Sequence, residues 1–319
     1  MKIAVITGIT GQDGAYLAKL LLEKEYKVVG LLRGKNSVNL DKLKYLKIED
    51  KVVFENCELT NLSEIINVVN KYKPNEIYNL ASQSSVGFSF DNPIETLSFN
   101  IISTANILES IKTLDKKIKF YQASSSEMFG SANNLPFTEK SVFHPVSPYG
   151  ISKASAHWIT VNYRESFGLF TTSGILFNHE SVLRPNNFII KKIIRAAFDI
   201  LNSKTDVLEV GDIDIKRDFG YAPKYVEAMY LMMQHENPDD YVISSGVSLS
   251  IREVIYYVFN KLGISKDAIV INRAFYRPNE IKDIYGDASK AKRVLKWDYN
   301  VSFFDVLDML IDEEQKLYE

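Results

Sequence analysis

The fold of this chain is decided by residues 3–14, which read Ile3-Ala4-Val5-Ile6-Thr7-Gly8-Ile9-Thr10-Gly11-Gln12-Asp13-Gly14. The apolar run that opens this segment predicts a β-strand, and the amphipathic stretch Tyr16–Lys24 behind it predicts a helix. Glycines at three-residue intervals let the backbone turn sharply and bring a pyrophosphate against the N–H groups of the helix N-terminus. The segment therefore predicts a dinucleotide-binding turn, with an ordinary glycine-rich turn as the alternative. It is not a P-loop, because no Lys-Ser or Lys-Thr pair follows the glycines.

Strand-like and helix-like segments alternate outward from this turn. The predicted strands are Lys27–Leu32, Val52–Phe54, Glu76–Leu80, Lys119–Ala123, Phe170–Leu176 and Tyr241–Ser245. The predicted helices are Leu62–Lys71, Ile101–Lys112, Ile189–Leu201, Ile251–Leu262 and Val301–Leu317. Alternation at βαβ spacing, with strands that are apolar throughout, predicts a parallel sheet covered on both faces. We therefore expect an α/β protein with a Rossmann-type, doubly wound parallel sheet and a smaller, interwoven α/β substrate lobe.

The two lobes are expected to share the chain rather than to be joined by a tether. No Pro/Gly-rich linker separates the halves of the sequence. We assign residues 1–178 to the dinucleotide-binding domain, together with a returning segment at about 212–248. Residues 179–211 and 249–319 are assigned to the substrate lobe.

Composition limits the partners of the chain. Among its 319 residues, 38 Lys and Arg face 40 Asp and Glu, for a net charge of −2, which argues against binding of nucleic-acid polymers. The single cysteine, Cys57, has no partner for an internal disulfide, and the four histidines are dispersed, so no metal site is expected. No run of about 18 apolar residues predicts a membrane span. We expect a cytoplasmic protein with a small-molecule substrate.

Basic residues follow the second predicted strand, at the position where an acidic residue would bind the ribose hydroxyls of NAD. Arg33, with Lys35 and Ser37 nearby, suits the 2′-phosphate of NADP. The sequence therefore favours NADP over NAD, with a solvated basic loop as the alternative.

Two further motifs predict a catalytic site. Tyr149 and Lys153 lie four residues apart, so on a helix they share one face, where the ammonium would lower the pKa of the phenol. A phenol with a lowered pKa suits acid–base chemistry near neutral pH. The segment Ser124–Glu127 directly follows the predicted strand Lys119–Ala123, at the strand end where parallel sheets bind ligands. A polar loop with a helix cap is the alternative for this segment.

Together these motifs resemble those of the extended short-chain dehydrogenase/reductases. Longer blocks are similar to the GDP-mannose 4,6-dehydratase family: Gly8–Gly14, Phe120–Gly130, His157–Gly168, Gly174–Ser181, Lys216–Gly220 and Arg277–Glu280. These blocks occur in order over nearly the whole chain. The resemblance implies an NADP-dependent nucleotide-sugar 4,6-dehydratase, a lyase that forms GDP-4-keto-6-deoxymannose from GDP-mannose and regenerates its cofactor in each turnover.

The resemblance also implies the catalytic residues Ser125, Glu127, Tyr149 and Lys153. Tyr149 would take the proton of the C4 hydroxyl while the C4 hydride passes to NADP. Glu127 would then remove the C5 proton, water would leave from C6, and the hydride would return to C6. Ser125 stands where the family usually has threonine and keeps the hydroxyl. The residues themselves agree, since proton removal next to a carbonyl needs a positioned base and Glu127 is the carboxylate of this loop; helix capping is its alternative role.

The remaining site residues are carried over by position. Those on the cofactor side are Gly8, Thr10, Gly11, Gln12, Asp13, Gly14, Arg33, Asn36, Ser37, Glu58, Leu59, Leu80, Ala81, Ser82, Tyr149, Lys153, His179 and Arg184. Those on the substrate side are Ser84, Ser125, Glu127, Tyr149, Asn178, Lys192, Arg217, Arg277 and Glu280. Three of these are cations that suit a diphosphate, and Glu280 could accept from a ribose or base donor. The chain departs from the family at Gly34, at Glu58 and in the loop Leu183–Asn187.

Other functions stay open at this point. A GDP-manno-heptose 4,6-dehydratase would share these blocks. A reductase or epimerase of a GDP-4-keto-6-deoxy sugar has the same fold but needs no Glu127. A non-catalytic nucleotide-sugar or NADP sensor belongs to another class, and such proteins tend to lose the residues that this chain keeps at 125, 149 and 153. By analogy with the family, we expect a homodimer or homotetramer.

Overall fold

The computed structural model describes residues 1–34 and 39–318. Its strands are β1 Ile3–Thr7, β2 Lys27–Leu32, β3 Val53–Asn56, β4 Glu76–Asn79, β5 Lys119–Ser125, β6 Thr171–Leu176, β7 Asn178–Glu180, β8 Leu208–Val210, β9 Lys216–Tyr221, β10 Asp240–Ile243, β11 Ser248–Ser250 and β12 Ile269–Ile271. Its α-helices are α1 Gln12–Glu23, α2 Asp41–Tyr45, α3 Leu62–Tyr72, α4 Val86–Asp91, α5 Pro93–Leu114, α6 Pro148–Phe167, α7 Ile189–Leu201, α8 Ala222–Gln234, α9 Ile251–Leu262, α10 Ser289–Leu295 and α11 Phe303–Gln315. None of these helices is long and apolar enough to cross a membrane.

The main sheet has seven parallel strands within the described residues, in the order β10-β6-β5-β4-β1-β2-β3. This order confirms the doubly wound, Rossmann-type fold. Helices α1 and α8 pack on one face, with Leu17 and Met229 in their shared core, and α3 and α5 pack on the other, with Val69 and Ile111. Burial on both faces explains why the strands are apolar throughout.

The order of the strands reverses between β1 and β4, and the Thr7 side chain connects the ends of these two strands by hydrogen bonds. The Thr7 hydroxyl donates to Asn79 Oδ1 at 2.8 Å and accepts the backbone N–H groups of Leu80 and Ala81, each at 3.0 Å. In open parallel sheets, ligands bind beyond the strand ends at such a reversal. The fold therefore places the ligand cleft directly behind the glycine-rich turn.

The second lobe has its own small sheets and core. Strand β9 lies between β11, which is antiparallel to it, and β7, which is parallel, and β12 pairs with β8. Helices α7, α9 and α11 enclose a separate apolar cluster that includes Phe219, Val258 and Leu310. The domain boundaries given above stay a prediction.

A buried ion pair joins helix α7 to helix α11 in this lobe. Lys191 Nζ lies 2.7 Å from Glu314 Oε2, and the two residues are 5% and 1% exposed. Arg195 Nε lies 3.6 Å from the other carboxylate oxygen of Glu314. Because α7 also carries Lys192, this ion pair fixes the helix that brings a predicted substrate residue to the cleft.

Two long helices lacked a clear signal in the sequence. Helix α6 buries Ser152, Lys153, His157 and Thr160 beside its apolar residues, so an apolar stripe does not mark its inner face. Its existence confirms that Tyr149 and Lys153 lie at a helix start, with the Ser147 side chain accepting from the Gly150 N–H at 3.0 Å. Helix α8, with many methionines and tyrosines, was also not predicted. Helix α5 begins at Pro93 rather than at Ile101, because its first turns bury polar residues.

Candidate active site

The glycine-rich turn leads into α1 with its backbone tightly packed. Gly8 has a φ of +69°, which favours glycine. A Cβ on Gly14 would lie 2.3 Å from the Gly8 carbonyl oxygen, so a side chain at this position would push the turn apart. Gly11 is the N-cap of α1, and no side chain among the described residues caps it. The N–H groups of the first helical turn can therefore bind an anion.

A cavity of about 300 Å³ lies beside this turn, at the ends of β2 and β3. It is lined by Arg33, Glu58, Leu59 and Phe99, among others. Arg33 Nε lies 3.4 Å from Glu58 Oε2, and its guanidinium carbon lies 5.6 Å from the centre of the Phe99 ring. The aromatic ring, the aliphatic wall and the cation suit an adenosine with an added phosphate. The predicted cofactor residues Asn36 and Ser37, and Lys35 with them, lie outside the described residues.

A larger cleft of about 970 Å³ runs from the glycine-rich turn to the second lobe. Its lining includes these predicted residues of the cofactor side: Gly8, Thr10, Gly11, Gln12, Asp13, Gly14, Arg33, Leu80, Ala81, Ser82, Tyr149, Lys153, His179 and Arg184. It also includes these predicted residues of the substrate side: Ser84, Ser125, Glu127, Tyr149, Asn178, Lys192, Arg217, Arg277 and Glu280. Within the described part of the chain, the predicted site residues thus converge on two adjoining cavities. Their individual roles stay predictions.

The four predicted catalytic residues meet where β5 ends beside the first turns of α6. Ser125 is the last residue of β5; its hydroxyl accepts the Glu127 N–H at 3.2 Å and lies near enough to the Tyr149 phenol to act on its pKa. The Lys153 ammonium donates to the Ala123 carbonyl at 2.8 Å and lies 5.7 Å from the centre of the Tyr149 ring. A hydroxyl, a phenol, an ammonium and a carboxylate group therefore line one wall of the cleft.

Glycine at position 150 permits this close packing. An ideal Cβ there would lie 2.7 Å from the Glu127 carbonyl oxygen. A larger residue would force helix α6 away from the short turn Ser126–Met128 that carries Glu127. The glycine therefore sets the distance between the two halves of the catalytic wall.

Burial has the largest effect on the pKa values of Tyr149 and Lys153. It raises the pKa of Tyr149 to about 12, although the Ser125 hydroxyl acts in the opposite direction. It lowers the pKa of Lys153 to about 8. The expectation that Lys153 lowers the pKa of Tyr149 is therefore wrong for the protein alone, because the ammonium is bonded to a backbone carbonyl and both groups are desolvated. The phenol keeps its proton at neutral pH.

The far end of the cleft carries a cluster of cations around one carboxylate. Glu280 Oε1 accepts from Arg217 Nη2 at 2.7 Å and from Arg277 Nη1 at 3.4 Å. Arg217 is 5% exposed and also donates to the Ile281 carbonyl. Glu280 therefore orients both guanidinium groups toward the same region of the cleft, in addition to the sugar or base contact that the sequence suggested.

Aromatic residues of the cleft were missed from the sequence. Phe99 lines the smaller cavity beside Arg33, Phe188 stacks on Arg184 at 3.6 Å, and Phe275 lies 4.4 Å from Lys192 Nζ, the last two distances being measured to the ring centre. No local signal identifies them, because 12% of the chain is aromatic and many of these residues are in the core. Their contacts show that they support the charged residues of the site.

Fold and site together define an extended short-chain dehydrogenase/reductase. The chain resembles the solved structures of a UDP-glucose 4-epimerase from Thermotoga maritima, with a TM-score of 0.87 and 22% identity over 99% of this chain and 100% of that one. It also resembles a dTDP-glucose 4,6-dehydratase from Bacillus anthracis in complex with NAD, with a TM-score of 0.86 and 23% identity over 99% and 97% of the two chains. At this identity the likeness concerns the fold alone.

Sequence comparison identifies the family within this class. The family profile described as GDP-mannose 4,6 dehydratase matches residues 5–310. GDP-mannose 4,6 dehydratase 2 of Arabidopsis thaliana is 43% identical, over 99% of this chain and 87% of that protein. The human GDP-mannose 4,6 dehydratase is 38% identical, over 99% and 92% of the two chains. The chain belongs to the GDP-mannose 4,6-dehydratase family.

Proposed function

We propose that the protein converts GDP-mannose into GDP-4-keto-6-deoxymannose and water, with NADP as an internal hydride carrier. The observation that carries this proposal is the carboxylate of Glu127 in the same cleft wall as Ser125, Tyr149 and Lys153. A simple reductase or epimerase needs the last three residues but no base for C5. The reaction makes the protein a hydro-lyase, although its first chemical step is an oxidation.

The residues present fit a nicotinamide dinucleotide. The turn at Gly8 and Gly14 leaves no room for a Cβ, as expected where a backbone must approach a pyrophosphate. Arg33 and Phe99 suit the adenosine end, and Tyr149 and Lys153 the nicotinamide end. The bound nicotinamide supplies reversible hydride acceptance, which no side chain provides.

The side chains of the wall supply the proton transfers. Tyr149 acts in this step as a phenolate, which the Lys153 ammonium stabilises once cofactor and substrate are bound, although the phenol is protonated in the protein alone. The phenolate accepts the proton of the sugar C4 hydroxyl, while the Ser125 hydroxyl bonds to the same oxygen. The resulting 4-keto group acidifies the C5–H bond. Glu127 removes that proton and returns it to the C6 hydroxyl, which leaves as water; C5 then takes up one solvent proton, and Tyr149 releases its own. Lys192, Arg217 and Arg277 bind the diphosphate of the substrate.

Deuterium labelling tests this reaction directly. GDP-mannose that carries deuterium at C4 is incubated with the enzyme and a trace of NADP, and the product is analysed by mass spectrometry and NMR. We expect a product lighter by one water, with the deuterium at C6 and one solvent hydrogen at C5. A stoichiometric requirement for NADPH would contradict the dehydratase and indicate a reductase. The same assay with a panel of GDP-sugars that includes a GDP-manno-heptose shows whether the cleft has room for a larger group at C6.

The choice of NADP rests on Arg33, and its removal tests it. Arg33→Ala should weaken NADP binding by about tenfold to hundredfold, because a hydrogen bond to a charged group contributes about 1.5–3 kcal/mol. Binding of NAD should stay unchanged, because it lacks the 2′-phosphate. Fluorescence titration measures both affinities, and Lys44→Ala, an exposed lysine of helix α2, is the matched control. Equal losses for both cofactors would contradict the assignment of the phosphate to Arg33.

We also propose a homodimer formed through helices α5 and α6. These adjoining helices expose Ile94, Ile102, Ile151 and Trp158, each at 44% or more. Ile102→Asp should shift the sedimentation coefficient toward that of the monomer, whereas Met309→Asp, at an exposed site on α11, should not. A wild-type monomer would contradict this proposal. The cytoplasmic location stays a prediction.

A further inference from the structure

His179 lies in the middle of β7, and both ring nitrogens and one face of its ring contact other residues. Its Nδ1 is 2.7 Å from the Phe177 carbonyl oxygen, and its Nε2 is 3.0 and 2.9 Å from the two carboxylate oxygens of Asp13. The ring stacks on Tyr225 with 4.6 Å between centroids and an angle of 30°. The residue is 7% exposed. These contacts fix the ring in position, and both ring nitrogens face acceptors within the protein.

The partners determine the protonation of this ring. A backbone carbonyl can only accept, so Nδ1 must carry a hydrogen. An ionised carboxylate also only accepts, so Nε2 must carry a second hydrogen, which makes the ring an imidazolium. Both oxygens of Asp13 lie within 3.0 Å of Nε2, and Oδ1 also accepts from Gln12 Nε2 at 3.2 Å, an arrangement that suits an ionised carboxylate. Burial alone would raise the pKa of Asp13, but the charge and the hydrogen bond of His179 outweigh burial and lower it.

A second link, made of hydrogen bonds, also connects the start of α1 to β7 and the loop after it. The Ser181 hydroxyl donates to Gln12 Oε1 at 2.7 Å and accepts the Leu183 N–H at 3.1 Å. Gln12 Nε2 donates to the His179 carbonyl at 3.2 Å. Two successive residues of the first turn of α1 are thus bonded to β7 and to the loop that follows it.

We propose that His179 is a positioning residue, a permanent imidazolium that fastens the glycine-rich turn to strand β7 through Asp13. The ring therefore acts on the cofactor through the turn rather than as a donor to it. Because β7 also carries Asn178, the link fixes the position of the glycine-rich turn relative to this predicted substrate residue. This inference rests on the proposed function for the ligands that it assigns to the two sides of the cleft. Its tests measure protonation and binding and do not require dehydratase activity.

The charged and titratable groups around the pair come from five elements and one loop. They are Asp13 on α1, Tyr121 on β5, Tyr149 and Lys153 on α6, Glu180 on β7, Tyr225 on α8 and Arg184 in the loop after β7. Burial alone would lower the pKa of His179, but the carboxylate of Asp13 outweighs burial and raises it. Loss of the imidazolium charge would remove the hydrogen-bonded counter-charge of Asp13, whose side chain is 24% exposed, and leave Arg184 and Lys153 as the nearby cations. The link should therefore weaken at a higher pH than that at which an ordinary histidine loses its charge.

Ring-nitrogen NMR tests the charge state without substrate or added cofactor. Protein labelled with ¹⁵N-histidine is titrated from about pH 6 to about pH 9, the range in which an ordinary histidine becomes neutral. We expect one histidine to keep both ring hydrogens throughout, to vanish from the spectrum in His179→Asn, and to titrate normally in Asp13→Asn. His235→Asn, at a half-buried histidine outside the cleft, should remove a different signal. A His179 ring that is neutral or titrates normally in the wild type overturns the proposal.

Binding measurements test the positioning role. His179→Asn removes the ion pair, and Ser181→Ala removes the second link; each should weaken NADPH binding about fivefold to tenfold, the effect of one lost hydrogen bond. Binding of GDP should be unchanged, since its cations lie in the other lobe, and Ser181→Thr, which keeps the hydroxyl, should restore NADPH binding. Unchanged NADPH affinity in His179→Asn, or equal losses for NADPH and GDP, overturns the role. If both tests succeed but GDP-mannose is not dehydrated, the link stands and the proposed function fails.

Discussion

Glu127→Gln is expected to stop water elimination, with kcat lower by about 10²- to 10⁴-fold, the usual contribution of a positioned acid–base group. The amide keeps the size of the side chain and the backbone contact with the Ser125 hydroxyl, but it cannot accept the C5 proton. Binding of GDP should be unchanged, because Lys192, Arg217 and Arg277 are untouched. Mass spectrometry of the product measures turnover, and calorimetry with GDP measures binding.

Exchange with solvent gives a second readout for Glu127. In D₂O the wild type should place deuterium at C5, and the variant should not. Glu95→Gln, which removes another carboxylate from the rim of the cleft, is the matched control and should retain wild-type turnover. If Glu127→Gln formed the 4-keto-6-deoxy product at the normal rate, another group would be the base.

Tyr149→Phe is expected to lower kcat by a similar factor, about 10²- to 10⁴-fold, because the phenylalanine has no oxygen to accept the C4 hydroxyl proton. The ring itself is 8% exposed, and phenylalanine keeps its packing, so the unfolding midpoint should not fall. Single-turnover kinetics with GDP-mannose measure the loss, and thermal unfolding is the control. A variant that retains full activity would exclude Tyr149 as the proton acceptor.

The pH dependence of turnover follows from the neighbouring lysine. With a pKa of about 8, Lys153 loses its positive charge as the pH rises through that value, and the phenolate of Tyr149 loses its support. We therefore expect kcat/KM to fall above about pH 8. Tyr149 itself, with a pKa of about 12, does not titrate in this range. Lys153→Arg, whose guanidinium keeps its charge beyond about pH 12, should move the fall to higher pH. A fall that stays at the same pH would assign it to another group.

Local sequence predicts the parts of this fold that depend on short-range rules. Strand β1, the glycines at 8, 11 and 14, and the pair Tyr149 and Lys153 each follow from spacing that a few neighbouring residues define. Helix α6 was recognised only at its start, because Ser152 and Thr160 on its inner face are polar and bond to backbone carbonyls. Apolar periodicity cannot reveal a helix that buries polar groups.

The sequence could not reveal contacts between distant residues or the effects of burial. Asp13 and His179 are 166 positions apart, and nothing near either residue indicates its partner. The direction of the Tyr149 pKa shift was wrong because spacing indicates a nearby ammonium, whereas desolvation depends on the whole environment of the phenol. Arg217, Arg277 and Glu280 were each predicted for the substrate side, but the sequence did not indicate that Glu280 accepts hydrogen bonds from both arginines.

The ion pair between Lys191 and Glu314 has a practical consequence for shortened forms of the protein. Deletion of α11 would remove the carboxylate that holds Lys191 and Arg195 of α7. The same deletion would expose the apolar side of α7, the helix that carries the predicted substrate residue Lys192. Trimming from the carboxyl end should therefore disturb the second lobe before it disturbs the glycine-rich turn. Any truncated version intended for crystallisation should therefore retain Glu314.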